Sequence, residues 1–163
     1  LSGSGKTTLG NKLYEKIKLL EANTVFIDGD VIREIFGSDI DHSLEGRKKN
    51  AERISRLCKF LDFSGLNVVA AVLSIFPDWQ RWNRINFSVY KQIFLDVSWE
   101  CLKKRDPKGF YKQIEEGKIE NFVGFDIKFP RPVDNDIVIN EDMMIKGINS
   151  NVKMIYKTIF NGL

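Results

Sequence analysis

The chain is poor in the residues that build extracellular scaffolds and metal centres. It has two cysteines, Cys58 and Cys101, and one histidine, His42, in 163 residues. Two distant cysteines cannot make a disulfide framework, so a reduced, cytoplasmic setting is expected. One histidine with two separated cysteines makes no zinc site. No apolar run approaches the roughly 20 residues of a membrane span, and no signal peptide is visible. Neither charge is in large excess: 25 Lys and Arg against 22 Asp and Glu leave a formal charge of +3. That is far from the basic loading of a dedicated nucleic-acid binder. Internal repeats, low-complexity tracts and a second domain are also lacking. What remains is ordinary for one globular domain, with 43% hydrophobic and 29% charged residues, a composition that excludes disorder.

The hydrophobic pattern alternates between two periods. Leu9, Leu13, Ile17 and Leu20 share one face of a helix expected over 6–21. Residues 24–27 read as a short buried strand ending in Asp28-Gly29-Asp30. A longer helix is expected over 44–64, with Ile54, Leu57, Cys58 and Leu61 inward and Gly65 at its end. The apolar run 67–73 reads as a parallel strand covered on both faces. Residues 78–90 are expected to be helical and 92–97 a strand. Ser98 can cap the next helix. A last strand falls at 136–139, and the chain closes as a helix from Glu141 onward. Strands alternating with helices predict an α/β fold, a parallel sheet with helices on both faces. The stretch 105–135, richer in Gly, Pro and Lys, reads as mobile excursions over the strand ends, where binding loops belong.

The strongest local signal is Leu-Ser-Gly-Ser-Gly-Lys-Thr-Thr over residues 1–8. Glycines let backbone N–H groups wrap an anion, and the helix that follows adds its dipole. In the pattern G-x-x-x-x-G-K-[ST], Lys6 reaches the β- and γ-phosphates of a nucleotide and the Thr7 hydroxyl ligates Mg²⁺. Gly3, Ser4, Gly5 and Thr8 complete the candidate ATP loop. The pattern's first glycine would sit just before Leu1. The expectation is therefore a single P-loop kinase domain over 1–163 that lacks its first strand and that glycine. Asp28 and Asp30, two carboxylates at a strand end beside a phosphate loop, suit Mg²⁺ handling and deprotonation of a hydroxyl nucleophile. Which of them is base and which metal or ribose ligand stays open. A GTPase would need an Asn/Thr-Lys-x-Asp base-reading motif, and none is present. Asp106-Pro107-Lys108-Gly109 fits D-x-x-G but follows a late strand, not the early one a switch requires.

The order of motifs resembles the adenylyl-sulfate kinases over most of the chain. The P-loop, Asp-Gly-Asp with Arg33, Arg47 with Asn50, Arg-Asp-Pro-Lys-Gly-Phe-Tyr-Lys at 105–112 and Gly-Lys-Ile-Glu-Asn-Phe-Val-Gly-Phe-Asp at 117–126 occur in that family's order. That family transfers the γ-phosphoryl group of ATP to the ribose 3′-hydroxyl of adenylyl sulfate. The resemblance implies Lys6, Thr7 and Asp28 in a catalytic centre, with Thr7 and Asp28 toward Mg²⁺. It implies Asp30, Arg33, His42, Arg47, Asn50, Ser74 and Lys108 on the acceptor nucleotide, Phe122 stacked on its base, and Arg105 as a lid arginine on the ATP side. Partners would be small nucleotides, with a homodimer as in many family members and no residue pattern that locates its interface.

The departures from the family gather on the acceptor side. Val31 replaces an asparagine. Ile40-Asp41-His42-Ser43 replaces Leu-Gly-Phe-Ser, whose Phe stacks on adenine. Asn50-Ala51-Glu52-Arg53 loses one arginine of Asn-Ile-Arg-Arg, and Glu115 replaces another. Leu73-Ser74-Ile75-Phe76-Pro77 moves the proline of Ile-Ser-Pro, and Val123 stands for a threonine. A charge-assisted contact is worth about 1.5–3 kcal/mol and a base–aromatic stack about 1–3, so these changes can redirect acceptor choice. A relative of this family in bacterial capsule synthesis phosphorylates cytidine diphosphoramidate at the same ribose position, and a pyrimidine needs less stacking area. The expected reaction is therefore ATP-dependent phosphorylation of the 3′-hydroxyl of cytidine diphosphoramidate. The alternatives are a true adenylyl-sulfate kinase and, more remotely, a nucleotide-dependent switch or a silent nucleotide-binding module. Trp79 and Trp82 are read as cover for the sheet, Cys58 and Cys101 as packing residues, and Arg81 and Arg84 as candidate transition-state cations. Lys103, Lys104, Lys108, Lys112 and Lys118 form a basic rim that steers anions. Phe125 and Phe129 are placed in a closing lid.

Overall fold

The computed structural model describes residues 1–37, 39–106 and 109–160. It is an α/β fold of four short parallel strands and eight helices among these residues. Helix α1 (Lys6–Lys18) buries Leu9, Leu13 and Ile17, four residues apart on one face. It leads to β1 (Thr24–Asp28), α2 (Gly29–Phe36), α3 (Leu44–Phe63) and β2 (Asn67–Ala71). Then come α4 (Pro77–Asn86), β3 (Ile93–Leu95), α5 (Trp99–Arg105), α6 (Phe110–Glu115), β4 (Ile137–Ile139), α7 (Glu141–Ile145) and α8 (Ile148–Phe160).

The strands are parallel, as expected, and form two pairs. In β1–β2, Thr24 lies opposite Asn67 and Asp28 opposite Ala71; in β3–β4, Ile93 lies opposite Ile137 and Leu95 opposite Ile139. Helix α1 joins the two pairs. It packs on β1 and β2, and its apolar face shares a core with Leu95, Ile137, Ile139, Val152 and Ile155. On the opposite side, Ile27 of β1, Ile32 of α2 and Ile54 and Cys58 of α3 form a second core. Burial pushes the Cys58 thiol up to about 12, so it is inert packing, as expected. A third core of Val97, Leu102, Tyr111, Ile114 and Phe122 lies beyond the end of β3. No helix among the described residues is long and apolar enough to cross a membrane.

Several boundaries differ from the sequence reading. Helix α1 stops at Lys18, and Leu20, expected on the inward face, is exposed. There the chain turns back at once into β1: Thr24 Oγ1 donates to the Glu21 carbonyl and Asn23 Nδ2 to the Gly65 carbonyl. Helix α4 starts with Pro77 at its first position, where a missing N–H costs nothing. The closing helix is broken in two at Gly147, with φ 92°. The stretch 105–135 contains a helix, α6, because Tyr111 and Ile114 have an aromatic core to enter.

The seam between α1 and α8 should hold much of the fold's stability. Ile155 is fully buried in it. Ile155→Ala is expected to cost about 2–5 kcal/mol in urea unfolding. A loss below about 1 kcal/mol, ordinary for a surface change, would show that this seam is not a core.

Candidate active site

The loop ahead of α1 turns at Gly3 and Gly5, with φ of 74° and 90°. Only glycine adopts this region without steric cost. Such turns aim successive N–H groups at an anion, and a thirteen-residue helix begins immediately after. Ser4 is 1% exposed, and its Oγ has no hydrogen-bond partner. Lys6 Nζ folds back over the loop and donates to the Leu1 carbonyl at 2.7 Å. Thr8 is exposed at the same helix end.

Thr7 ties this loop to the end of β1. Its Oγ1 donates to Asp28 Oδ2 at 2.7 Å. Asp28 Oδ1 accepts the Asp30 backbone N–H at 2.9 Å and so caps α2. One carboxylate thus faces the phosphate loop and fixes the helix that carries Asp30 and Arg33. Among the described residues no group of three or more His, Cys, Asp or Glu could hold a metal. The hard oxygens of Thr7 and Asp28 are the pair beside the phosphate loop.

The acceptor candidates gather on α2, α3 and the turn between them. Arg33 Nη1 donates to the Ile40 carbonyl at 3.2 Å and to the Asp41 carbonyl, while its buried Nε has no partner. Arg47 Nε donates to the His42 carbonyl at 2.9 Å, and its Nη2 to the Asn121 carbonyl at 2.7 Å. Asn50 is buried; its Nδ2 donates to the Gly29 carbonyl at 3.2 Å and its Oδ1 has no partner. Burial pulls the Arg33 guanidinium below its ordinary value, with Asp30 and Asp41 opposing. Burial and then Arg33 do the same to Arg47. His42 is lowered by partial burial and then by these two guanidiniums, so its imidazole stays neutral to lower pH than a free histidine. The buried atoms without partners, Arg33 Nε and Asn50 Oδ1, are a donor and an acceptor that a polar ligand can satisfy.

Other expected site residues lie differently. Phe122 is 8% exposed, edge-to-face with Tyr111 at 5.4 Å and with Trp99 and Phe110 at 6.4 Å. Its ring belongs to an aromatic core. Arg47, through Asn121, holds its segment against α3. Ser74 accepts from Gln80 Nε2 at 3.1 Å in the loop after β2. Arg105 ends α5 with Nη1 3.8 Å from Met144 Sδ, and Met144 lies against Gly5 of the loop. Lys108 lies outside the described residues. Arg84 is engaged with Asp136 at 2.9 Å and sits over the Tyr90 ring, so it braces the fold. Arg81 is exposed near Asp78. Trp82 packs edge-on against Phe87, as cover; Trp79 lines a groove of about 460 Å³ with Leu44, Lys48 and Phe76.

Three contributors escaped the sequence reading. Tyr111 Oη donates to the Ser2 carbonyl at 2.9 Å, which ties α6 to the phosphate loop. Asp126 accepts the backbone N–H groups of Asn121 and Phe122 and supports Asn121 at a φ of 61°. Met144 fills the space between Gly5 and Arg105. Asp126 closes the 117–126 motif, and that was its only signal.

A glycine-turned loop at the start of α1, tied through Thr7 to Asp28 at the end of β1, with Arg33 and Arg47 on the adjoining α2 and α3, is the arrangement of the P-loop kinase class. The chain belongs to the adenylylsulphate kinase family, which matches residues 1–140. It is accordingly a nucleotide-dependent phosphotransferase. It is 36% identical over 159 residues to a cytidine diphosphoramidate kinase of Campylobacter jejuni, covering 98% of this chain and 92% of that protein. It is 31% identical over 163 residues to an adenylyl-sulfate kinase of Buchnera aphidicola, covering 99% of this chain and 78% of that one. Its fold matches the Mycobacterium tuberculosis APS kinase CysC, solved in complex with AMPPNP and APS. That match has a TM-score of 0.85 and 26% identity, over 98% of this chain and 92% of that one.

Proposed function

We propose that the protein transfers the γ-phosphoryl group of ATP to the ribose 3′-hydroxyl of cytidine diphosphoramidate. The observation that carries this reading is His42. It occupies the turn between α2 and α3 between Arg33 and Arg47, where the wider family has a phenylalanine. A small hydrogen-bonding ring offers a pyrimidine an edge and offers a purine less stacking area. The 36% identity to a kinase of that acceptor, over nearly the whole chain, supports the same choice.

The residues divide the work. The loop N–H groups and Lys6 hold the β- and γ-phosphates. Thr7 and Asp28 offer hard oxygens, the set that suits Mg²⁺, a cation that takes one or two protein ligands and leaves its other positions to water and phosphate. When bound there, Mg²⁺ supplies neutralisation of the phosphate charge that develops during transfer. Arg33 and Arg47 face the anionic end of the acceptor, and Asn50 offers its free amide oxygen. Asp28 or Asp30 aligns the 3′-hydroxyl and accepts its proton. The 3′-oxygen bonds to the γ-phosphorus, the bond from that phosphorus to the β-bridging oxygen breaks, and ADP leaves. The transition state is loose and anionic, so positioning and charge carry the rate.

An acceptor screen by coupled ADP release tests this. Cytidine diphosphoramidate should exceed adenylyl sulfate in kcat/KM by about a hundredfold, the scale of one lost stack or charged contact. A higher kcat/KM with adenylyl sulfate would make the protein an adenylyl-sulfate kinase. No acceptor-dependent ADP release with either would overturn the nucleotide 3′-kinase reading.

A further inference from the structure

Helix α3 begins against a turn that leaves no room for a side chain. A Cβ built on Gly46 would lie 2.2 Å from Asp41 Oδ1, 2.5 Å from the Asp41 carbonyl oxygen and 2.8 Å from the Asp41 nitrogen. Two of those atoms are backbone, so rotation of the Asp41 side chain cannot relieve the overlap. Gly46 is buried in the first turn of the helix, where an ordinary residue would favour helix formation more. Here the close approach requires it.

The turn it admits is tightly bonded. Asp41 Oδ1 accepts from the Ser43 N–H at 3.1 Å and from Ser43 Oγ at 2.5 Å. Ser43 Oγ in turn accepts the Gly46 N–H at 3.1 Å and caps α3. The Asp41 carbonyl, one of the atoms crowding Gly46, receives Arg33 Nη1. The next carbonyl, of His42, receives Arg47 Nε. Ile40 anchors the start of the turn by burial. Arg33 and Arg47 are therefore both bonded to carbonyls of residues 40–42, with Arg47 bonded to the Asn121 carbonyl as well.

We propose that Asp41 and Gly46 form a positioning pair that sets acceptor specificity, by pressing the turn 40–43 onto α3 so that Arg33, His42 and Arg47 keep one arrangement toward the acceptor nucleotide. The facing of Arg33, His42 and Arg47 toward an acceptor, and that acceptor's identity, rest on the reading above; the close packing of Gly46 on Asp41 does not. Neither residue has to touch the substrate. Position 41 is a family departure, glycine in the usual Leu-Gly-Phe-Ser, and the carboxylate there adds the two bonds to Ser43. The Asp41 change adjoins the His42 change in the same turn.

The test is steady-state kinetics of Gly46→Ala and Asp41→Ala, each on cytidine diphosphoramidate and on adenylyl sulfate. Gly46→Ala should raise KM for the better acceptor at least about tenfold, the cost of misplacing one charged contact, and leave KM for ATP within about twofold. The ratio of kcat/KM between the two acceptors should fall in the same variant. Asp41→Ala keeps the glycine and removes only the carboxylate. It should move the same two quantities in the same direction by less, and it keeps the proposal testable should Gly46→Ala not fold. Equal rises in both KM values, or an unchanged acceptor ratio in a folded variant, would make the pair merely structural and overturn the proposal. A wild-type preference for adenylyl sulfate would overturn the acceptor reading alone, since the KM split is read on whichever acceptor is better.

Discussion

Lys6→Ala is expected to abolish turnover while leaving the fold intact. Lys6 is the first residue of α1, half-buried, and its Nζ donates to the Leu1 carbonyl at 2.7 Å. Alanine has the best helix propensity at such a position, and a single hydrogen bond contributes about 1 kcal/mol. Stability should change little. Catalysis should change far more. Phosphoryl transfer offers little covalent chemistry to the protein, so fixed positive charge at the β- and γ-phosphates carries much of the acceleration. Loss of such a charge is worth about a thousandfold or more in kcat, about 4 kcal/mol at 1.36 kcal/mol per decade. Coupled ADP release at saturating acceptor measures it, with circular dichroism to confirm folding. A kcat within about tenfold of wild type would remove Lys6 from the catalytic centre and with it the kinase assignment of the loop.

The phosphate side of the site was legible because its determinants are local. Gly3, Gly5 and Lys6 lie within four residues, and left-handed glycines before an amphipathic helix have one common use. Asp28 was legible as the last residue of a short apolar strand, and it does end β1. The acceptor side was legible only through the order of motifs, because Arg33 and Arg47 bond backbone carbonyls of a turn that no periodicity describes, and Asn50 reaches back to the Gly29 carbonyl at the start of α2. What escaped was set by contacts far apart in sequence. Tyr111 reaches Ser2 across 109 positions. Phe122 sits in an aromatic core with Trp99, Phe110 and Tyr111; Trp99 belongs to the helix expected after Ser98, and Phe110 and Tyr111 to a stretch read as loops. The Gly46–Asp41 approach depends on how a turn folds over a helix start, and a helical glycine by itself signals only weakness. The break at Gly147 was marked by its glycine, but the strong apolar pattern on either side hid it.

Asp28→Asn should separate chemistry from binding. In the native protein one oxygen caps α2 through the Asp30 N–H and the other accepts from Thr7. Asparagine caps helices about as well as aspartate, so its amide oxygen keeps α2 in place, and with it Arg33 and Asp30. The placement of Arg33 and Asp30 therefore survives the change, and KM for the acceptor should stay within about threefold. The charge is lost, and with it both roles open to this group, proton acceptance from the 3′-hydroxyl and an anionic oxygen beside Thr7. A general base contributes about 10²–10⁴ in rate, so kcat should fall at least a hundredfold, about 2.7 kcal/mol. Asp28→Ala adds the loss of the cap, about 1 kcal/mol in unfolding. A comparison of the two variants then isolates the charge from the cap. If Asn and Ala lose nucleotide affinity and kcat in equal measure, Asp28 is a binding residue. The proton from the 3′-oxygen would then have to go to Asp30, whose charge lies among Arg33, Arg47 and His42 on the acceptor side.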